Sequence, residues 1–161
     1  MTAINPTTTG GSDGESRRLV SGIAGANLVG SQYYFSKRTS AGVVLCSVDG
    51  EAAEGILQAD GTQYVGETDS TGAVVPIAIE GTSRLKMAAA CNVGDAIKTT
   101  TAGLGTPITA GDKAAVTPSG SPPYPVAGAV INAYALEAAT APNDVILVEI
   151  RHAGVAPASL T

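Results

Sequence analysis

The residues able to do chemistry are few and scattered along the chain. Its one histidine, His152, follows Arg151, and neither Cys46 nor Cys91 sits in a C-x-x-C pair or beside a histidine. Zinc and redox sites need such clusters, so no metal or redox site is expected, and both thiols read as buried and reduced. A Ser-His-acid triad draws on distant parts of a chain, but no G-x-S-x-G elbow is present. His152 therefore reads as a surface residue at the end of a strand. The acids Asp49, Glu51, Glu54, Asp60, Glu67 and Asp69 crowd one stretch, mainly beside Gly or Ser. There they favour turns through local hydrogen bonds. The D-x-[DN]-x-[DN]-G spacing of a calcium loop is absent, as are a Walker A sequence and a G-x-G-x-x-G run. The expectation is a protein with no catalytic residues, no metal and no cofactor, and so not an enzyme.

Charge narrows the partners. Only 14% of the 161 residues are charged and the formal net charge is −5, which disfavours the phosphates of nucleic acid and anionic lipid. Four of the nine basic residues come in adjacent pairs, Arg17 with Arg18 and Lys37 with Arg38. They read as solvated surface or ordinary ion pairs, with docking onto an acidic partner as the other use. No apolar run approaches the roughly 20 residues that cross a bilayer. The start of the chain lacks the apolar stretch of a secretory signal, and synthesis and retention in a cytoplasm are expected.

The elements that must position these residues read as strands. Residues 1–16 are rich in Thr, Gly, Ser and Asp, a composition that buries too little apolar surface to order by itself. With Arg17 and Arg18 they form an expected flexible or extended N-terminal arm, residues 1–18, ahead of a β-rich domain, residues 19–152, and a flexible C-terminal tail, residues 153–161. From Leu19 to Phe35, glycines 22, 25 and 30 argue against helix, and the stretch reads as extended. It ends in Tyr33-Tyr34-Phe35, three of the chain's six Tyr and Phe residues. This cluster either caps the core or anchors a partner, since aromatic residues dominate interface hot spots.

Further strands are expected at 43–48 before the Asp49-Gly50 turn, at 62–65 after Asp60-Gly61, and at 73–80, where Pro76 should force an edge or a bulge. Gly81 should close that strand, with 82–87 as a separate partner. Residues 88–91 read as a single helical turn, 96–101 and 113–117 as strands, and 118–125 as a proline-rich loop. Two longer strands, 126–136 and 144–150, are joined by a hairpin-length connection. Many short strands with Gly and Pro punctuation make an all-β fold, a small sandwich or barrel. Its core is built from Val, Ile, Leu and Ala, because 44% of residues are hydrophobic but only 4% aromatic. Such a core leaves little stability margin, and association would add to it.

The order and spacing of several apolar motifs add a resemblance. They are Glu54-Gly55-Ile56-Leu57, Val75-Pro76-Ile77-Ala78-Ile79-Glu80-Gly81, Val93-Gly94-Asp95-Ala96-Ile97, Val126-Ala127-Gly128-Ala129-Val130, Ala133-Tyr134-Ala135-Leu136-Glu137-Ala138-Ala139 and Asn143-Asp144-Val145-Ile146-Leu147-Val148-Glu149-Ile150. Over roughly two thirds of the chain this string resembles the small phage capsid decoration, or capsid cement, proteins. The first forty or so residues and the 118–125 loop depart from that pattern. The resemblance implies a β-rich subunit, commonly a homotrimer, that binds the major capsid protein on the outer surface of a phage head and stabilises contacts between its subunits. The arm and the Tyr33, Tyr34 and Phe35 cluster would then supply capsid or inter-subunit contacts, with Arg17 and Arg18 at the arm's end. Neither nucleic acid nor membrane would be a partner. The rival reading with the same composition is a tail-fibre or surface adhesion module that binds host glycan.

Overall fold

A computed structural model describes residues 17–61, 68–109, 112 and 128–151. Frequent turn residues keep its strands short: β1 (Arg17–Ile23), β2 (Phe35–Thr39), β3 (Gly42–Leu45), β4 (Gly55–Leu57), β5 (Val74–Lys86), β6 (Ala96–Thr99), β7 (Gly105–Pro107), β8 (Ala133–Ala135) and β9 (Val145–Ile150). No helix occurs among the described residues. The fold is all-β, as the turn punctuation implies. The strands follow the order β3-β2-β4-β5-β9-β8-β6-β7, with β1 added to β5. All ladders are antiparallel, and the sheet curls into a half-barrel.

The long strand β5 is the hub. Its first half carries β1 on one edge, with Val20 opposite Ile77, and β4 on the other, with Leu57 opposite Ile77. Its second half carries β9, from Gly81 opposite Ile150 to Lys86 opposite Val145. The sequence suggests that Gly81 ends a strand and that 82–87 is its partner. Instead Gly81, at φ +86°, lies inside one continuous strand, because a residue without Cβ adopts that angle at no steric cost. Close by, the β1 ladder skips Ile79, an irregularity of the kind that bends and twists a strand. A Gly read as a stop is a bend.

Pro76 is not at an edge either. It lies opposite Ser21 of β1, and its carbonyl accepts the Gln58 N–H at 2.9 Å on the β4 side. Ser21 turns its own carbonyl outward to Arg38, so it needs no donor from the proline.

Successive side chains of a strand point to opposite faces, and both faces of β4 and β5 are covered. Ile56 and Ala78 enter the main core with Phe35, Leu85, Met87, Ile97, Ile146 and Val148. Leu57, Val75 and Ile77 enter a smaller core with Ala24, Leu28 and Val43. A bridge from Ala24 to Val43 joins the end of β1 to β3 and closes the curl over this smaller core. β4 fits between the two cores only because it begins with glycine: a Cβ on Gly55 would lie 2.1 Å from the Ala78 carbonyl oxygen.

Two more expectations change. Residues 88–91 form no helical turn; Cys91 bridges Ala139 in extended backbone. Of the long strand expected at 126–136, the described residues 128–136 hold a shorter one, Ala133–Ala135. The nearby Asn132, 1% exposed, is occupied by side-chain bonds. It accepts the Ala53 N–H at 2.9 Å and donates to the Glu51 carbonyl at 2.9 Å. The arm up to residue 16, the strands expected at 62–65 and 113–117, the 118–125 loop, His152 and the C-terminal tail lie outside the described residues.

Candidate interaction surface

The acids expected at turns divide: Asp69 and Glu51 accept from N–H groups a few residues away, whereas Glu54 binds Arg38 and Asp60 accepts from the distant Gly30 N–H. Asp69 accepts from the Thr71 hydroxyl and N–H, and Asp144 accepts from Thr140 and Ala141 N–H groups, so each carboxyl is held below its usual range. Burial works to raise Glu51, but the Lys37 ammonium at 2.7 Å and the Val48 and Ser47 N–H groups outweigh it and bring it down. Asp49 departs from the turn pattern. With Asp112 it brackets Lys98, whose side chain is 9% exposed. Burial works against charge on both Lys98 and Asp112, yet their contact raises the lysine and lowers the acid. Both cysteines are buried, as their spacing suggests. Burial pushes the Cys46 thiol up to about 12, where it is inert as a nucleophile. No group of three His, Cys, Asp or Glu side chains able to hold a metal occurs among the described residues.

The aromatic cluster divides. Phe35, the first residue of β2, is 0% exposed in the main core, with its N–H on the Gly103 carbonyl and its carbonyl on the Cys46 N–H. It is a core residue of the subunit and not a surface one. Tyr33 and Tyr34 are half-buried. Tyr33 takes a left-handed φ of 67°, and its N–H and carbonyl bond Leu57 and Lys86. The Lys86 ammonium stands 5.5 Å from the Tyr34 ring centre, a cation–π distance. Arg17 and Arg18 open β1, opposite Gly81 and Glu80. Arg18 meets Glu80 at 3.8 Å with both side chains 70% exposed, a pair of little energetic weight.

Arg18 belongs to an open groove of about 780 Å³ with Val20, Arg38, Glu54, Ile79, Glu80, Ile150 and Arg151. Neither tyrosine lines it. Apolar Val20, Ile79 and Ile150 alternate with three arginines and two glutamates contributed by distant parts of the chain. Arg38 binds both oxygens of Glu54, with a shortest distance of 2.9 Å, and that bond raises its pKa. Arg151 pairs with Glu149 at 2.9 Å. Sequence reading anticipates ion pairs for Arg38 but not the groove, whose members have no local signal. On the opposite face of β1 from Val20, Leu19 and Ile23, with Val74 of β5, are about half exposed. Ile23 lies directly opposite Val74, and Leu19 is on the same outer face of the β1–β5 ladder. Ser21 and Pro76 stand between Leu19 and the Ile23–Val74 pair on this face; isolated exposed apolar residues are ordinary, and a facing apolar pair with a third on the same face is better suited to a contact.

No protein-family model matches the sequence, and no curated protein matches it. A solved structure does match: the N base of the head fiber gp8.5 in bacteriophage phi29, with a TM-score of 0.53 at 11% identity, over 88% of this chain and 99% of that one. The two chains share a fold. At this identity the likeness is one of architecture, and the groove and patch are read from this chain's own residues.

Proposed function

We propose that this chain is a phage head structural protein that binds the outer surface of the capsid through the major capsid protein, as a homotrimer without enzymatic activity. It acts as a cement, stabilising contacts between neighbouring capsid subunits. The observation that carries this reading is the fold shared with the base of a phage head fiber over nearly all of that chain. The motif string that resembles the decoration proteins adds to it. The physical mechanism is avidity: a modest contact repeated by symmetry holds firmly although each interface is small. The apolar face at Leu19, Ile23 and Val74 and the half-buried Tyr33 and Tyr34 are the surfaces best suited to the contact, because their apolar area is already positioned by the sheet.

The test is to mix purified protein with undecorated heads of its own phage, separate the particles by sedimentation, and measure occupancy and shell breakage against temperature and salt. Saturable binding in a fixed ratio to the shell subunit, with breakage moved to higher temperature, is the expected result. Binding without any change in breakage removes the cement role and leaves a mounting role. Absence of binding overturns the reading.

A further inference from the structure

The cluster of Lys98, Asp49 and Asp112 holds more chemistry than a fastening needs. Lys98 follows Ile97, which enters the main core. Neighbouring side chains of a strand point to opposite faces, so the Lys98 stem leaves that core. It runs beside the Asp49-Gly50 turn, with its Cδ 3.9 Å from where a Cβ on Gly50 would stand. Two backbone bonds to β6 set the carboxylates in place: the Gly50 N–H on the Thr99 carbonyl at 2.9 Å, and the Ile108 N–H on the Ala96 carbonyl at 2.8 Å. Nζ then has one oxygen of each acid at 2.5 Å. The two acids are not equivalent. The Asp112 side chain is 15% exposed and that of Asp49 53%. The second oxygen of Asp112, Oδ2, accepts the Thr109 N–H at 2.7 Å and the Thr109 hydroxyl at 2.8 Å.

We propose that this cluster is a site of self-modification, at which Lys98 Nζ and Asp112 Cγ join in an isopeptide bond while Asp49 carries a proton. In the reactive state one proton has passed along the hydrogen bond from the ammonium to Asp112 Oδ1, leaving a neutral amine and a neutral acid. The amine lone pair adds to Cγ. The charge that gathers on Oδ2 meets the two Thr109 donors, an arrangement that stabilises such an oxyanion. Asp49 takes a proton from the attacking nitrogen and delivers it to Oδ1, which leaves as water when its bond to Cγ breaks. The ammonium has given two protons and the departing oxygen has taken them. Ammonium and carboxylate thus become an amide and one water, with no oxidant, cofactor or second protein, in a single turnover of the chain on itself. Burial favours the product, because a neutral amide replaces two desolvated charges. Burial is also the first cause acting on Lys98 and on Asp112, while their contact opposes it by keeping both charged. The reaction is therefore slow, and chain that has not reacted keeps the charged cluster and its response to pH. The inference does not rest on the head-surface reading.

The test is the intact mass of the full natural chain, purified folded and held at neutral pH for several days. It should settle below the sequence mass by one water, and digestion should release the Lys98 and Asp112 peptides as one branched species. Asp112→Asn keeps the shape of the side chain and has ammonia to expel in place of water, so it should lose one ammonia, a different mass. Asp49→Ala, a change at a half-exposed side chain, should slow the loss of water by about a hundredfold or more. A full sequence mass in the natural chain overturns the proposal, whether or not either variant folds. A lost water confined to a single peptide, as in a cyclic imide at Asp49-Gly50, overturns it too, as does a branch from Lys98 to Asp49. An undiminished rate in D49A overturns the proton-carrying role of that residue.

Discussion

The two cores on either side of β4 and β5 are finished to different degrees. The main core, around Phe35, Leu85, Met87 and Val148, lies between the β4–β5 region and the strands β6 to β9, and its large members are at 0% exposure. The smaller one, around Leu28, Val43, Leu57 and Ile77, is closed on the β1 side by a strand that pairs with β5 and has an outward face bearing Leu19 and Ile23. The same β5 residues alternate between the two, so the contrast lies in what covers each core and not in its composition. It follows that stability should reside mainly in the first core and recognition beside the second.

The largest effect expected from that contrast is in the main core. Phe35→Ala should cost about 3–5 kcal/mol, the range for removing a buried aromatic ring. Val43→Ala in the smaller core removes far fewer atoms and should cost roughly 1–3 kcal/mol. Urea unfolding of the two variants separates them by midpoint. A smaller loss for F35A than for V43A would reverse the assignment of the two cores.

The next effect tests a fastening that belongs to neither core. Lys98 of β6 reaches Asp49 and Asp112 and holds the backbone after β7 against the Asp49-Gly50 turn. The folded pKa of Asp112 is lowered, so its contribution is present above the unfolded carboxylate value and is lost as pH falls through the folded one. Lys98 is raised, so its contribution is complete below the unfolded lysine value and is lost as pH rises through the folded one. Thermal midpoints should therefore fall in the acid range below the ordinary carboxylate pKa and again in strong alkali. Lys98→Met should flatten the acid limb relative to the natural chain and cost about 1–3 kcal/mol at neutral pH, since it leaves Asp112 with less compensation. An unchanged acid limb in K98M would place the acid sensitivity in other carboxylates, such as Glu51 or Asp144.

How much of this was legible depends on the range of the interaction. Asp69 acts within a few residues of itself, so its turn role follows from neighbouring Ser and Thr alone; Asp144 also acts locally, on Thr140 and Ala141, but reads in the sequence as the start of a strand. The all-β class follows from the spacing of such turns. Gly81 and Pro76 misled because their usual meanings, stop and edge, are local, while their actual setting is fixed by β1, β4 and β9 arriving from elsewhere. Phe35 and Tyr34 are adjacent and aromatic, yet one is core and the other half-exposed, because the period of two begins only where β2 begins. The groove was invisible for the same reason: Arg18, Arg38, Glu54, Glu80 and Arg151 meet only after the sheet curls.

The smallest effect on stability should accompany the largest effect on recognition. Leu19 and Ile23 project from the outer face of β1, each about half exposed, so Leu19→Ser with Ile23→Ser removes little buried area. Surface changes of this kind usually shift stability by about 0.5 kcal/mol or less each. If the face beside the smaller core is the one that meets the head, the double variant should melt near the natural protein while its occupancy on heads drops at least about tenfold, since a drop of that size corresponds to only 1.4 kcal/mol at an apolar contact. Tyr33→Ser serves as the comparison, because its side chain is half-buried on a different part of the surface and does not line the groove. Loss of occupancy in Y33S with none in the β1 double variant would move the contact to the tyrosine pair, and a marked fall in melting temperature for the β1 variant would show that Leu19 and Ile23 belong to the fold. Full occupancy in both would leave neither surface as the contact, which turns the search to the rim of arginines around Val20 and Ile79.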